Sequence, residues 1–276
     1  MTRARPAPDQ QYRFLKSGLL PVLATVLLGL AGCQATAPVD NAVPKTESDT
    51  TNAERRANVR TELAKGYFTQ GQYNTALDEI KQALAAKPDA RDAINLRGLV
   101  YAAMGEKQLA DDSFKRALVT FPRDPDIMHN YGWFLCQERR YPAAFEQFNQ
   151  ALQQPEYRGM ARTLLARGVC ELSAGKTAEA QASLAKAFEY DPGNPAIAYN
   201  LASVLYRGQQ YERARFYIRR VNAQAEQTNA QSLWLELRIE RRMGNAIQVG
   251  DLSKKLRREY AQSPETQAME SGQFDE

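Results

Sequence analysis

A 34-residue period constrains this chain more than any other feature. Leu63, Ala64, Tyr67, Gly71, Tyr73, Ala76, Ile80, Ala83, Leu84 and Pro88 form a first unit. The pattern returns as Gly98, Tyr101, Gly105, Ala110, Phe114, Ala117, Leu118 and Pro122. It returns again as Gly132, Leu135, Tyr141, Ala144, Phe148, Ala151 and Leu152, with Pro155 one position early. After a two-residue insertion, a fourth unit holds Gly168, Gly175, Ala180, Leu184, Ala187, Phe188 and Pro192. A fifth holds Ala202, Leu205, Tyr211, Ala214, Ile218 and Val221, and a degraded sixth holds Leu237, Gly244, Val249 and Leu256. The small residues Gly98, Gly132, Gly168 and Ala202 let a first helix approach a second, and Ala76, Ala110, Ala144, Ala180 and Ala214 do the same from the other side. Pro88, Pro122 and Pro192 stop the second helix and set the turn to the next unit. One such pair buries too little to be stable alone, so the units must stack.

This pattern resembles the tetratricopeptide repeat, a helix–turn–helix unit of 34 residues, over roughly residues 57–261. The resemblance implies an all-α fold: a right-handed superhelical solenoid of about six tetratricopeptide (helix-turn-helix) repeats, spanning residues 53–262. The sixth unit carries Arg238, Arg241, Arg242, Lys254, Lys255, Arg257 and Arg258, and reads as a solvated capping face. Residues 263–276 carry little pattern and are expected to fray.

The N-terminus reads differently. Residues 1–18 are basic and polar, and Leu19 to Leu30 is a run of twelve apolar or small residues. That run falls short of the roughly 20 residues a bilayer core requires, and has the size of the apolar region of a secretory signal. Leu30-Ala31-Gly32-Cys33 resembles the lipobox of bacterial lipoproteins. The resemblance implies a signal peptide over 1–32, cleavage before Cys33 and lipidation of that cysteine, which more than one acyl chain makes a stable anchor. Gln34, rather than Asp, implies sorting to the outer membrane, with the protein on its periplasmic face. Residues 33–52 have no helical period and few apolar groups, and read as a flexible tether.

Charge and composition exclude several classes. The chain has 36 Lys and Arg against 32 Asp and Glu. Residues 1–32 hold Arg3, Arg5, Arg13 and Lys16 against Asp9, which leaves 32 basic and 31 acidic groups in the remainder. The folded part therefore lacks the basic excess of a nucleic-acid binder. His129 is the chain's one histidine, too few for a Cys/His zinc site or a Ser-His-Asp hydrolase. Without a glycine-rich phosphate loop or a dinucleotide fingerprint, no cofactor, metal or catalytic role is expected.

Beyond Cys33, the cysteines are Cys136 and Cys170, one repeat apart on the first helices of neighbouring units. Two readings stand: a disulfide between adjacent repeats, if the α-carbons approach to about 6 Å, or two buried thiols filling small gaps.

In tetratricopeptide arrays the first helices line a concave groove, and the resemblance places particular residues there. They are Asn95 and Leu99 from the second unit, and His129, Asn130, Trp133 and Gln137 from the third. The fourth gives Arg162, Leu165 and Val169; the fifth gives Tyr199, Asn200, Ser203, Tyr206 and Arg207. Asn130 and Asn200 fall where family members hydrogen-bond a ligand backbone, since an amide both donates and accepts. Trp133, Tyr199 and Tyr206 would be apolar anchors. Of these, Asn95, His129, Asn130, Trp133, Tyr199, Asn200, Tyr206 and Arg207 are the candidate partner-binding residues, with His129 a hydrogen-bonder rather than a metal ligand.

The stretch His129-Asn130-Tyr131-Gly132-Trp133-Phe134-Leu135-Cys136, with Arg140-Tyr141-Pro142-Ala143-Ala144 after it, goes beyond the general repeat. It is similar to the third repeat of the type IV pilus biogenesis and stability lipoproteins of the PilW/PilF type, and lipobox, tether, repeat number and length agree. The resemblance implies a pilotin: a non-enzymatic scaffold that binds the pilus secretin subunit and promotes its localisation to the outer membrane and its multimerisation. The alternative is a general periplasmic scaffold recruiting cell-envelope or peptidoglycan enzymes.

Overall fold

The computed structural model describes residues 51–274. The predicted signal peptide, Cys33 and nearly all of the predicted tether lie outside the described residues. Those that are described form six helical hairpins and a closing helix. The hairpins are α1 (Asn52–Thr69) with α2 (Tyr73–Ala86), α3 (Arg91–Ala103) with α4 (Lys107–Thr120), and α5 (Pro125–Gln137) with α6 (Tyr141–Leu152). Then come α7 (Met160–Ser173) with α8 (Thr177–Tyr190), α9 (Pro195–Arg207) with α10 (Tyr211–Asn222), and α11 (Ala230–Arg242) with α12 (Ala246–Glu259). The last helix is α13 (Pro264–Glu270).

Local chemistry sets the boundaries. Asp124 and Asn194 cap α5 and α9, their side chains accepting from two backbone N–H groups each, and proline follows at the first helical position; the missing proline N–H costs nothing there. The turn inside each hairpin needs one left-handed residue. Glycine supplies it in four hairpins, as at Gly71 (φ +74°), but Arg139 (φ +59°) and Gln209 (φ +57°) hold the same place in the third and fifth.

Within a hairpin the two helices meet through the small residues. A Cβ built on Gly98 would lie 2.7 Å from the Phe114 ring, one on Gly132 2.9 Å from Phe148, and one on Gly168 2.7 Å from Leu184. Ala64 and Ala202 take that place in the first and fifth hairpins, fully buried. Facing them, Ala76, Ala110, Ala144, Ala180 and Ala214 are fully buried, as are Ile80, Phe114, Phe148, Leu184 and Ile218. Helices touch only within a hairpin, between successive hairpins, or at α13, which is the connectivity of a solenoid. Odd-numbered helices α1 to α11 each approach the next odd-numbered one along the backbone, whereas even-numbered helices lie farther apart and meet through long side chains, as Phe188 of α8 meets Tyr217 of α10. The stack therefore curves with the odd-numbered helices inside.

Cys136 on α5 and Cys170 on α7 are disulfide-bonded, with α-carbons 5.8 Å apart. Closing a loop of that length disfavours the unfolded chain by about 3–4 kcal/mol on chain entropy.

One expectation is corrected. Residues 263–276 do not all fray, because Ser263 caps α13 at Thr266 N–H and Pro264 opens it. Thr266 and Met269 are buried, the Thr266 hydroxyl donating to the Tyr260 carbonyl at 2.8 Å. The helix is too short to show a period, so its capping signal is its only trace in the sequence.

Two substitutions test this account by the denaturation midpoint. Arg139→Gly should raise stability by roughly 1 kcal/mol, by removing a left-handed side-chain penalty. Gly132→Val should lower it by about 1–3 kcal/mol through overpacking against Phe148.

Candidate partner-binding surfaces

The predicted inner-face residues divide into three groups. The first is spent inside the array. His129 is buried at 8% exposure, its Nδ1 2.9 Å from the Thr163 hydroxyl of the next repeat, which also meets the Tyr157 hydroxyl at 2.7 Å. Its predicted role as a hydrogen-bonder to a partner therefore gives way to one of joining repeats three and four. Burial, with the Arg162 guanidinium adding to it and Asp126 opposing, pushes the imidazole down to about 4.

The second group forms a polar row along the inner face. The Asn130 amide donates to Asn95 Oδ1 at 3.1 Å, across two repeats. That bond uses one donor and one acceptor of the pair, so it orients both amides without exhausting them. Asn200 instead donates to its own helix, at the Ala196 carbonyl 2.8 Å away. Trp133 is half-buried, packed beside the core of the third repeat. Arg162 reaches Asp126 at 2.6 Å, and Asp126 also accepts from Arg91 at 2.9 Å, so one carboxylate ties repeats two, three and four.

The third group lies together. Tyr199, Tyr206 and Arg207, with Ser203, line a cleft of about 540 Å³ between α9 and α11, whose far wall is Trp234, Arg238 and Arg242. Glu265 of α13 closes one end. The Arg238 guanidinium lies 4.8 Å from the Tyr206 ring, a cation–π contact. Burial raises the pKa of the Tyr199 phenol, and the Glu265 carboxylate adds to the shift.

The motif around His129 is largely interior. Tyr131 donates to buried Asp111 at 2.9 Å and Arg140 donates to it at 2.6 Å, joining repeats two and three. Burial and the Asp111 hydrogen bond push the Tyr131 phenol up to about 12.

A further surface, absent from the sequence-based candidates, lies on α1. Val59 is 56% exposed and Leu63 44%; with Gly66 and Tyr67 they line a groove of about 610 Å³ edged by Asn58, Glu62 and Gln70. The repeat register shows what this face is. The counterparts of Val59 in the next four repeats, Ala93, Ile127, Thr163 and Ile197, are at most 1% exposed. The counterparts of Gly66 are Val100, Phe134, Cys170 and Val204, all buried. Those of Leu63 include buried Tyr131 and Leu201, and half-buried Arg97 and Arg167. In later repeats this face meets the preceding hairpin, and in the first repeat no hairpin among the described residues covers it. The signal was present in the sequence as apolar residues at stacking positions of a unit with no repeat before it.

The comparisons with known proteins agree with this architecture. Profiles of the tetratricopeptide repeat match residues 61–125 and 95–161, and a second one residues 171–234. The chain belongs to the tetratricopeptide-repeat family. Within it, the type IV pilus assembly protein PilF of Pseudomonas aeruginosa is 28% identical over 244 residues, which cover 88% of this chain and 94% of PilF. The solved structure of Pseudomonas aeruginosa PilF superimposes with a TM-score of 0.70 at 26% identity, covering 80% of this chain and 100% of that one. That of PilW, described as a widely conserved type IV pilus biogenesis factor, gives 0.70 at 28% identity, covering 77% and 97%. The chain is thus a tetratricopeptide-repeat homologue of type IV pilus biogenesis proteins.

In this tetratricopeptide array, His129 makes stability depend on pH in a defined window. The unfolded chain takes up a proton near pH 6.5, whereas the fold resists it down to about pH 4. The stabilisation is therefore complete above about pH 6.5 and is lost as the pH falls towards 4, by up to about 3 kcal/mol. Denaturant titrations at pH 7 and pH 4.5 should show a larger loss for the wild type than for His129→Gln. Equal losses would refute the assignment.

Proposed function

We propose that the chain is an outer-membrane pilotin: a lipoprotein, anchored through acylated Cys33, that binds the pilus secretin subunit and promotes its localisation and multimerisation at the outer membrane. Likeness to PilF over nearly the whole of both chains supports the pilus setting. The observation that carries the binding mode is the open stacking face of α1.

An amphipathic helix of the secretin subunit would occupy the place of the hairpin that the first repeat lacks. It would cover Val59 and Leu63, whose remaining exposure of 56% and 44% leaves each about 1 kcal/mol to contribute on full burial. A Cβ built on Gly66 would meet nothing within 4 Å, so no contact among the described residues requires a glycine there. In mid-helix it costs about 1 kcal/mol relative to alanine, and it leaves room for a second helix to come close. The amide row of Asn95 and Asn130 offers backbone hydrogen bonds to an extended segment running on from that helix. Holding the subunit at the membrane raises its local concentration, so ring formation is favoured without covalent chemistry.

Leu63→Asp should leave the melting temperature of the array within about 2 °C, because the side chain is half exposed, a site class whose substitutions cost little. It should remove secretin multimers from the outer-membrane fraction. Cys33→Ser should move the protein off the membrane and reduce the multimers with it. Wild-type multimer levels in Leu63→Asp cells would defeat the binding mode, and co-purification of a peptidoglycan enzyme in place of a secretin would favour the general scaffold.

A further inference from the structure

The folded chain has an uneven distribution of charge. Residues 205–262 hold twelve Lys and Arg against six Asp and Glu, while the last 14 residues hold four acidic groups and no basic one. The structure brings these stretches together. Glu265 enters the lining of the cleft between α9 and α11, and Glu270 pairs with Arg257 at 3.2 Å. The Phe274 ring sits 5.1 Å from the Trp234 ring, with the Arg241 guanidinium 3.7 Å from its centre. Trp234 is common to both arrangements, since it lines the cleft and carries Phe274. An acidic segment with one aromatic ring therefore lies along the rim of a basic, aromatic cleft.

We propose that this cleft binds an acidic, aromatic-bearing stretch of a partner polypeptide, and that residues 264–274 are its intramolecular competitor. The lining supplies the chemistry. Arg207, exposed at the mouth, and Arg238, held over Tyr206, suit carboxylates, because charge-assisted hydrogen bonds are the stronger kind. Tyr199, Tyr206 and Trp234 suit a ring. The segment already on the rim shows the class of ligand: it brings the Glu265 carboxylate into the Arg-rich lining and a phenyl ring to the indole. A partner that displaces Phe274 gains the Trp234 face and leaves α13 held by Thr266 and Met269. The site is at the opposite end of the array from α1, so a scaffold could hold two segments of partner at once.

The test titrates a fluorescein-labelled peptide of residues 271–276, Ser-Gly-Gln-Phe-Asp-Glu, against the full chain by fluorescence anisotropy. Phe274→Ala should tighten binding at least tenfold over the intact chain by uncovering Trp234. Adding Arg207→Glu should reverse that gain at least tenfold and flatten the salt dependence. Tyr206→Ala, which leaves the contacts of α13 in place, should weaken binding to the intact chain at least fivefold. The peptide should also shift Trp234 emission in a Trp133→Phe background, locating it at the cleft. Affinity unaffected by Phe274→Ala, by Arg207→Glu or by Tyr206→Ala would overturn the proposal. Leu63→Asp should leave peptide binding unchanged, so failure of this site and failure of the α1 face are separate results.

Discussion

Every higher level of this structure rests on the close crossing of two helices inside each hairpin. Phe114 lies on Gly98, Phe148 on Gly132 and Leu184 on Gly168, at distances that leave no room for a side chain on the glycine. That contact fixes the angle at which a hairpin presents its outer face to the next one. Repeated five times, it produces a stack with one inner face and sets the distance between neighbouring odd-numbered helices. The pairing of Asn95 with Asn130, the contact of His129 with Thr163 and the bond from Cys136 to Cys170 all span that distance. All three involve α5, so splaying the third hairpin would disturb each of them.

The fold was legible because the chain states it repeatedly. A period of 34 with small residues at fixed places survives the loss of any one position. Repeats three and five keep their turns although Arg139 and Gln209 replace glycine there. The candidate site was less legible, for two reasons. Register assigns a side chain to the inner face but does not reveal what it meets across the gap: His129 and Asn130 are neighbours in sequence, yet Thr163 holds the first inside while the second stays on the surface. The motif that carries the family resemblance also does not reveal which of its residues are interior: Tyr131 and Arg140 serve the buried carboxylate of Asp111. The α1 face is the converse case, an ordinary stacking surface whose meaning comes from the hairpin that is not there. Helix α13 was missed because seven residues are too few to display a period.

The two ends of the array consequently differ in kind. The first hairpin keeps the apolar stacking face of an interior repeat, whereas the last is covered by α13 and carries buried Glu236 and Glu240, tied to Arg219 at 3.3 and 2.6 Å. A stack with two open ends could add copies of itself indefinitely. This one is closed at the C-terminal side, so its apolar opening faces outward from a single end, the one that follows the predicted tether.

The disulfide between α5 and α7 has a mechanical consequence. A solenoid flexes by small rotations shared among its joints, each hairpin moving against its neighbours alone. Bonding the third hairpin to the fourth takes one joint out of that sum and places a stiff segment at mid-length. Bending is then divided between two halves, so strain applied at the first hairpins is taken up before it deforms the cleft beside α13.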